Sequence, residues 1–339
     1  MDTSPLLHGI KSRWLVTGAA GFIGSHLAES LALAGQHVTA IDNFATGKRS
    51  NVDAIQAATS AGAGVLDFIE GDICDRAFAG KVAAGVDYVL HQAALGSVPR
   101  SLERPLASFD ANCSGFMSIL SAARDAGVKS FVYASSSSVY GDHPALPKVE
   151  EQTGAVLSPY AATKAADELF ANVFARCYGI KTVGLRYFNV FGARQDPEGA
   201  YAAVIPKWIA SLVAGEPVFI NGDGESSRDF CFIDNVVQAN IRAALANRDQ
   251  DATVLNIAVG HRTTLNQLYE LLKDVLAGHV PAIADAVPTF RDFRPGDVKH
   301  SLADITRARR EIGYQPTHSL DQGLRLAVGW YLANLARGR

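Results

Sequence analysis

Cysteine is scarce and scattered. The 339 residues hold four, Cys74, Cys113, Cys177 and Cys231, with no close-spaced pair among them. That spacing lacks the pattern of zinc and dithiol motifs, so no metal is expected and the thiols read as reduced and idle. An excess of one charge is also missing. Formal net charge is −3 and no run of basic residues occurs, which argues against nucleic acid or an anionic membrane as the main partner. An anionic ligand would have to be met by local groups. Nothing approaches the ~18 uncharged apolar residues of a membrane-spanning helix. The first thirteen residues carry Asp2 and Lys11 and form no continuous apolar stretch of the signal-peptide kind. A soluble cytoplasmic protein is the expectation. Internal repeats and low-complexity segments are absent as well.

What the chain has is core. At 48% hydrophobic it can bury one large core or two modest ones. Short apolar runs at 14–17, 37–41, 65–70, 86–91, 129–135 and 182–187 read as strands. Segments of helical period lie between them at 22–34, 51–60, 105–126 and 158–178. This alternation predicts an α/β fold, a doubly wound parallel sheet of Rossmann type, over residues 1–190. Beyond 190 the order loosens. Residues 192–203 read as loop, 204–214 as helix and 222–225 as a turn, which opens a smaller lobe over 191–339. The apolar run 253–257, within 234–257, is expected to return to the main sheet, so the two lobes interleave.

Two motifs carry chemistry. The first is Gly18-Ala19-Ala20-Gly21-Phe22-Ile23-Gly24, placed where a strand ends and a helix begins. Glycines there let the backbone approach a pyrophosphate at a helix N-terminus, where free N–H groups and the dipole favour negative charge. Asp42 ends the next strand eighteen residues after Gly24. Its carboxylate would accept from a ribose diol and repel a 2′-phosphate, which favours NAD over NADP. Asp72 reads either as a contact to the adenine edge or as a strand-end cap. The second motif is Tyr160-Ala161-Ala162-Thr163-Lys164. On a helix, positions i and i+4 share a face, so the Lys164 charge can favour the Tyr160 phenolate. Bringing a phenol from ~10 to about neutrality needs roughly 4 kcal/mol, more than one lysine supplies. A nicotinamide cation beside the same hydroxyl would add to it.

These residues resemble the extended short-chain dehydrogenase/reductases that act on nucleotide sugars, over nearly the whole chain. The resemblance is carried by the glycine turn, His91-Gln92-Ala93-Ala94, the run from Ser135 to Tyr140, the Tyr160 and Lys164 pair, and Arg186-Tyr187-Phe188-Asn189-Val190-Phe191-Gly192. Within that family, Leu95-Gly96-Ser97-Val98-Pro99-Arg100 and Arg194-Gln195-Asp196-Pro197 are most similar to bacterial UDP-N-acetylhexosamine 4-epimerases of surface-polysaccharide (O-antigen) pathways. The resemblance implies catalysis by Tyr160, Lys164 and Ser136. It implies NAD held by Gly18, Gly21, Phe22, Ile23, Gly24, Asp42, Asn43, Gly47, Asp72, Ile73, Gln92, Ala93, Ala94, Tyr160, Lys164 and Tyr187. It implies a UDP-sugar held by Gly96, Ser97, Ser136, Ser137, Ser138, Tyr160, Asn189, Gln195, Val204, Lys207, Arg228, Arg294, Asp297 and Ser301.

The same run carries an exclusion. Dehydratases and decarboxylases of this family place a carboxylate beside the catalytic Ser or Thr, where this chain has Ser137 and Ser138. Epimerisation at C4 needs only hydride and one proton. Ser301 stands where relatives restricted to glucose and galactose carry a bulky Tyr, so a 2-acetamido group is accommodated and UDP-N-acetylglucosamine and UDP-N-acetylgalactosamine are the expected substrates. Competing substrates are UDP-hexuronic acids, with Arg100 as the cation near C6, or UDP-glucose and UDP-galactose. A competing class is a redox sensor that binds NAD without turnover, although such members typically lose the Tyr and Lys that this chain keeps. The 105–126 and 158–178 helices correspond to the family's dimer interface, so a homodimer is expected.

Overall fold

In the computed structural model, residues 3–60, 62, 64–196, 203–248, 251–293 and 299–337 are described. The first half alternates β1 (Arg13–Thr17), α1 (Phe22–Leu33), β2 (His37–Asp42), α2 (Arg49–Thr59), β3 (Val65–Glu70), α3 (Arg76–Ala83) and β4 (Tyr88–His91). Then come α4 (Val98–Glu103), α5 (Pro105–Phe109), α6 (Gly115–Asp125), β5 (Ser130–Ser136), α7 (Pro159–Tyr178) and β6 (Thr182–Tyr187). The second half holds β7 (Val190–Phe191), α8 (Val204–Ala214), β8 (Phe219–Asn221), β9 (Ser227–Arg228), β10 (Cys231–Phe232), α9 (Ile233–Leu245) and β11 (Ala252–Ile257). It ends with β12 (Thr263–Thr264), α10 (Leu265–Ala277), β13 (Thr289–Arg291), α11 (Thr306–Ile312) and α12 (Leu320–Arg337).

Seven strands form one sheet in the order β11-β6-β5-β4-β1-β2-β3, with every pairing parallel. Side chains alternate across a strand, and the sequence supplies apolar groups to both faces. Trp14 and Val16 enter one buried cluster with Leu27 and Leu31 of α1 and Val236 of α9. Leu15, between them, enters a second cluster with Ala79 of α3, Phe116 and Ile119 of α6 and Phe131 of β5. Continuous apolar strands are therefore what a sheet covered on both sides requires. β11 pairs with β6 over Ala252–Ile257 and extends the sheet at that edge.

The chain leaves β1 in one direction to build β2 and β3, and in the other to build β4, β5 and β6. Strand order thus reverses between β1 and β4, the place where open α/β sheets leave a crevice beyond the strand C-termini.

One expected helix differs. Residues 105–126 are not a continuous α-helix, because Asp110–Ser114 between α5 and α6 winds as a π-type turn. Its residue Asn112 is drawn into contacts with two other elements: Oδ1 accepts from the Leu95 backbone N–H at 2.7 Å, and Nδ2 donates to Thr163 Oγ1 at 3.0 Å. Side-chain bonds of this kind select a wider local turn where regular winding would aim Asn112 elsewhere.

Candidate active site

The glycine turn is shaped by close packing. Gly18 has φ +70°, and a Cβ there would lie 2.8 Å from the backbone nitrogen of Ala93. At Gly24 a Cβ would stand 2.1 Å from the Gly18 carbonyl oxygen. Only hydrogen fits at either position, so α1 starts directly against the end of β1. Gly21 occupies the N-cap with no side-chain cap bond. The N–H groups of the first turn therefore have no helical acceptor and face the crevice beside the dipole's positive end.

Asp42, at the end of β2, accepts from the backbone N–H of Ala20 at 3.0 Å and of Phe44 at 2.7 Å. Burial pushes its carboxyl up while these bonds pull it down. Asp72 accepts from the Cys74 N–H at 2.8 Å and from Asn43 Nδ2 at 3.0 Å, and the former bond holds it below the usual carboxylate range. Thr17 Oγ1 accepts from the backbone N–H groups of Gln92 and Ala93, both at 3.1 Å, and bonds His91 Nδ1 at 3.0 Å. These bonds fix the backbone beyond β4.

α7 opens with Ser158, whose hydroxyl accepts from the Ala161 N–H at 3.1 Å, followed by Pro159 at the first helical position. The cap starts the helix just before Tyr160, so Tyr160 lies in its first turn and Lys164 one turn on. Lys164 is fully buried, and its Nζ lies 3.2 Å from Asp167 Oδ2. Burial opposes its charge, but Asp167 and Tyr160 outweigh burial and hold the ammonium above its ordinary pKa. His91 is pushed down to about 3, by burial first and then by the Lys164 charge, and is neutral.

A cleft of about 560 Å³ brings these features together. Its lining includes Gly18, Gly21, Phe22, Ile23 and Gly24 of the turn, Asp42, Asn43, Asp72 and Ile73 at the far strands, and Gln92, Ala93, Ala94 and Gly96 after β4. Tyr160, Lys164 and Tyr187 close the other end. Tyr187 donates to Gln92 Oε1 at 3.1 Å. Gly47 does not line the cleft but packs behind it, because a Cβ there would lie 2.6 Å from Ala20 Cβ.

The other expected residues that the structure describes fall outside that lining. Ser136 ends β5, and its oxygen accepts from the Ser138 N–H at 3.1 Å, leaving its own proton free to be donated elsewhere. Ser137 and Ser138 continue as a single 3₁₀ turn, with Ser138 Oγ buried and without a partner. Ser97 caps α4 by accepting from the Arg100 N–H. Asn189, at φ +33°, donates to the Asp229 carbonyl, and Gln195 donates to the Val190 carbonyl. Val204 is half-buried and Lys207 exposed on α8. Arg228 donates to the carbonyls of Ser227 and Lys299, and Ser301 is buried with its N–H on the Ser227 carbonyl. Arg294 and Asp297, like Pro197, lie outside the described residues.

Sequence reasoning missed Ala107, Asp110 and Ala111, which line the cleft from the α5 and π-turn segment. It also passed over Thr17, Asn112 and Asn240, which bond the lining into place. A Thr directly before Gly18 was the one visible signal. Among the described residues no group of three His, Cys, Asp or Glu side chains could hold a metal ion.

A glycine cradle at the switch point of a doubly wound sheet, faced by a Tyr-x-x-x-Lys helix, defines an α/β protein built around a nicotinamide dinucleotide. The fit is physical: Gly18 and Gly24 let α1 start directly against the end of β1, the N–H groups of the first turn of α1 have no helical acceptor, and an acid stands at the end of β2. The chain belongs to the NAD dependent epimerase/dehydratase family, which matches residues 14–258. It is 35% identical over 321 residues to the UDP-glucose 4-epimerase of Mycolicibacterium smegmatis, covering 94% of this chain and 98% of that protein. Among solved structures it is similar to a UDP-N-acetylglucosamine 4-epimerase from Methanobrevibacter ruminantium in complex with UDP-N-acetylmuramic acid, with 39% identity, TM-score 0.87 and coverage of 96% and 99%. A UDP-glucuronic acid 4-epimerase from Bacillus cereus, in complex with UDP-glucuronic acid and NAD, superposes with TM-score 0.84 at 28% identity, covering 95% of this chain and 99% of that one.

Proposed function

We propose that the protein is an NAD-dependent UDP-sugar 4-epimerase acting on UDP-N-acetylglucosamine and UDP-N-acetylgalactosamine, in the synthesis of surface-polysaccharide precursors. The observation that carries the reading is that Tyr160 and Lys164 line the same cleft as the glycine cradle. The Rossmann part spans 1–190 with 234–257 returning to it, and the rest of 191–339 is the sugar-binding lobe.

NAD, held by the glycine turn, Asp42 and the backbone after β4, would supply the hydride acceptor and donor at C4. Tyr160 takes the proton of the sugar 4-hydroxyl as general base and later returns it as general acid. Lys164, kept charged in a buried site, favours the phenolate. Ser136, which accepts the Ser138 N–H on one lone pair, would offer its hydroxyl proton to the reacting oxygen. Inversion requires the 4-keto ring to turn over while the diphosphate stays fixed. Arg228, Arg294 and Asp297 fix the UDP and Asn189, Gln195, Val204 and Lys207 complete its pocket, while Gly96, Ser97, Ser137, Ser138 and Ser301 line the sugar side. A small side chain at 301 leaves room for an acetamido group.

Arg100 supports a second reading. Its Nη1 donates to the carbonyl of Gly96, a residue of the cleft wall, so a guanidinium stands at the rim where a C6 carboxylate would be met. A homodimer is also part of the proposal. Leu102, Leu106, Phe109, Leu169, Phe170 and Val173 are exposed on α4, α5 and α7, helices that pack on one another.

The test is to incubate the purified protein, without added NAD, with UDP-N-acetylglucosamine, UDP-N-acetylgalactosamine, their uronates, UDP-glucose and UDP-galactose, and to follow anomeric proton signals. Inversion of the acetamido sugars supports the reading. Preference for uronates favours the Arg100 alternative, and release of a deoxy product overturns both.

A further inference from the structure

Asp167 is a buried acid with no part in the chemistry described so far. It sits three residues after Lys164 on α7, and the two side chains are 1% and 3% exposed. Its Oδ2 meets Lys164 Nζ at 3.2 Å, while Oδ1 is buried without a partner. A carboxylate half satisfied in the interior is costly unless its charge is wanted there.

The neighbours show what the charge does. Cys113 of the π turn contacts the α7 backbone through the Thr163 carbonyl, and burial pushes its thiol up to about 11, so it is neutral. His91 of β4 is neutral for the reason given above. Tyr133 of β5 is held far above its ordinary pKa by burial and stays a phenol. Glu168 is engaged by Arg186 of β6 in a two-point pair at 2.9 and 2.7 Å. That leaves Tyr160 and Asp167 as the groups that can answer the Lys164 charge. When Tyr160 is protonated, Asp167 is the anion that remains.

We propose that Asp167 is a positioning residue that acts through Lys164, keeping the buried amine protonated and its ammonium fixed beside Tyr160 throughout the catalytic cycle. Without that carboxylate, Lys164 would be an isolated buried cation, and such a group sheds its proton. A neutral Lys164 no longer favours the Tyr160 phenolate, so the base weakens as pH rises. Burial pushes the Asp167 carboxyl itself up from the usual carboxylate range, so the partnership is least complete at the acid end.

The inference rests on the assignment of Tyr160 as the base, and its test is built to be read apart from that assignment. Asp167→Asn keeps size and shape and removes the charge. In the holoenzyme, kcat for UDP-N-acetylglucosamine is measured from pH 6 to 10, and the lysine Nζ resonance missing from Lys164→Arg is titrated by ¹⁵N NMR. The variant is expected to match the wild type within about threefold at pH 6 and to lose at least about tenfold in kcat by pH 9, with the Nζ midpoint moved down by a unit or more. Asp167→Glu should restore the wild-type profile. If Asp167→Asn does not fold, Asp167→Ser is measured in its place with the same expectation. A profile of wild-type shape together with an unmoved Nζ midpoint, whatever the absolute rate, would reduce Asp167 to a packing role and overturn the inference. The midpoint needs no turnover, so it decides the link to Lys164 even if Tyr160 proves not to be the base.

Discussion

Replacing Gly24 with alanine tests the cradle most sharply, because the cost can be worked from the backbone. The new Cβ would stand 2.1 Å from the Gly18 carbonyl oxygen, 2.7 Å from its carbon and 3.1 Å from Ala19 Cα. Ordinary contact needs well over an ångström more than the first of these, and all three neighbours are backbone. Gly18 cannot simply retreat, since its own Cβ direction is closed by Ala93 at 2.8 Å. Helix and turn must therefore separate, a change of the overpacking kind that costs about 1–3 kcal/mol. The N–H groups of the first turn move with it, so the same strain appears as weaker dinucleotide binding, about tenfold for each 1.4 kcal/mol. NAD content after gel filtration and the melting temperature with and without added NAD read both effects. Gly80→Ala is the matched control, because a Cβ there meets nothing within 4 Å. It should be neutral or slightly stabilising. Retention of a full complement of NAD by Gly24→Ala, with an unchanged melting temperature, would refute the reasoning.

Ser301→Tyr should depress turnover of acetamido sugars far more than that of UDP-glucose, by about tenfold or more for a blocked pocket; equal loss on both would remove the pocket assignment. His91 is neutral in the fold, with its pKa lowered from 6.5 to about 3, so its contribution to stability is complete above pH 6.5 and is lost as pH falls toward 3. Thermal melts should therefore decline across that window, by up to roughly 4 kcal/mol from this group, and His91→Gln should flatten the slope. Leu106→Glu together with Leu169→Glu should shift the protein toward monomer in light scattering; a wild-type protein that is already monomeric at micromolar concentration would exclude the dimer.

The central strands were legible because they are apolar on both sides: Trp14, Leu15 and Val16 in a row can only be read as a strand buried on two faces. The same holds for Phe131, Val132 and Tyr133. α9 was not read as a helix, for its Ile233, Val236, Val237 and Ile241 lie among Asn235, Gln238 and Asn240, polar residues that turn out to be buried and bonded. Polar groups at core positions blur the helical period, and only tertiary partners explain them. The cleft was legible on the side where backbone geometry dictates residue type, in Gly18 and Gly24. It was less legible where side-chain bonds bend the backbone, as Asn112 does, since nothing local in the sequence announces a π turn. The proposed sugar side would draw on Ser136, Asn189, Arg228 and Ser301, from segments far apart in the chain, and spacing alone cannot relate them.

The central claim is that the Tyr160 oxygen moves the proton while the dinucleotide stays in its cradle. The most direct measurement is the rate of C4 inversion by Tyr160→Phe purified with its NAD still bound. A fall of about 10²- to 10⁴-fold with NAD content unchanged is the predicted result. Turnover at the wild-type rate would show that another group is the base and would contradict the account.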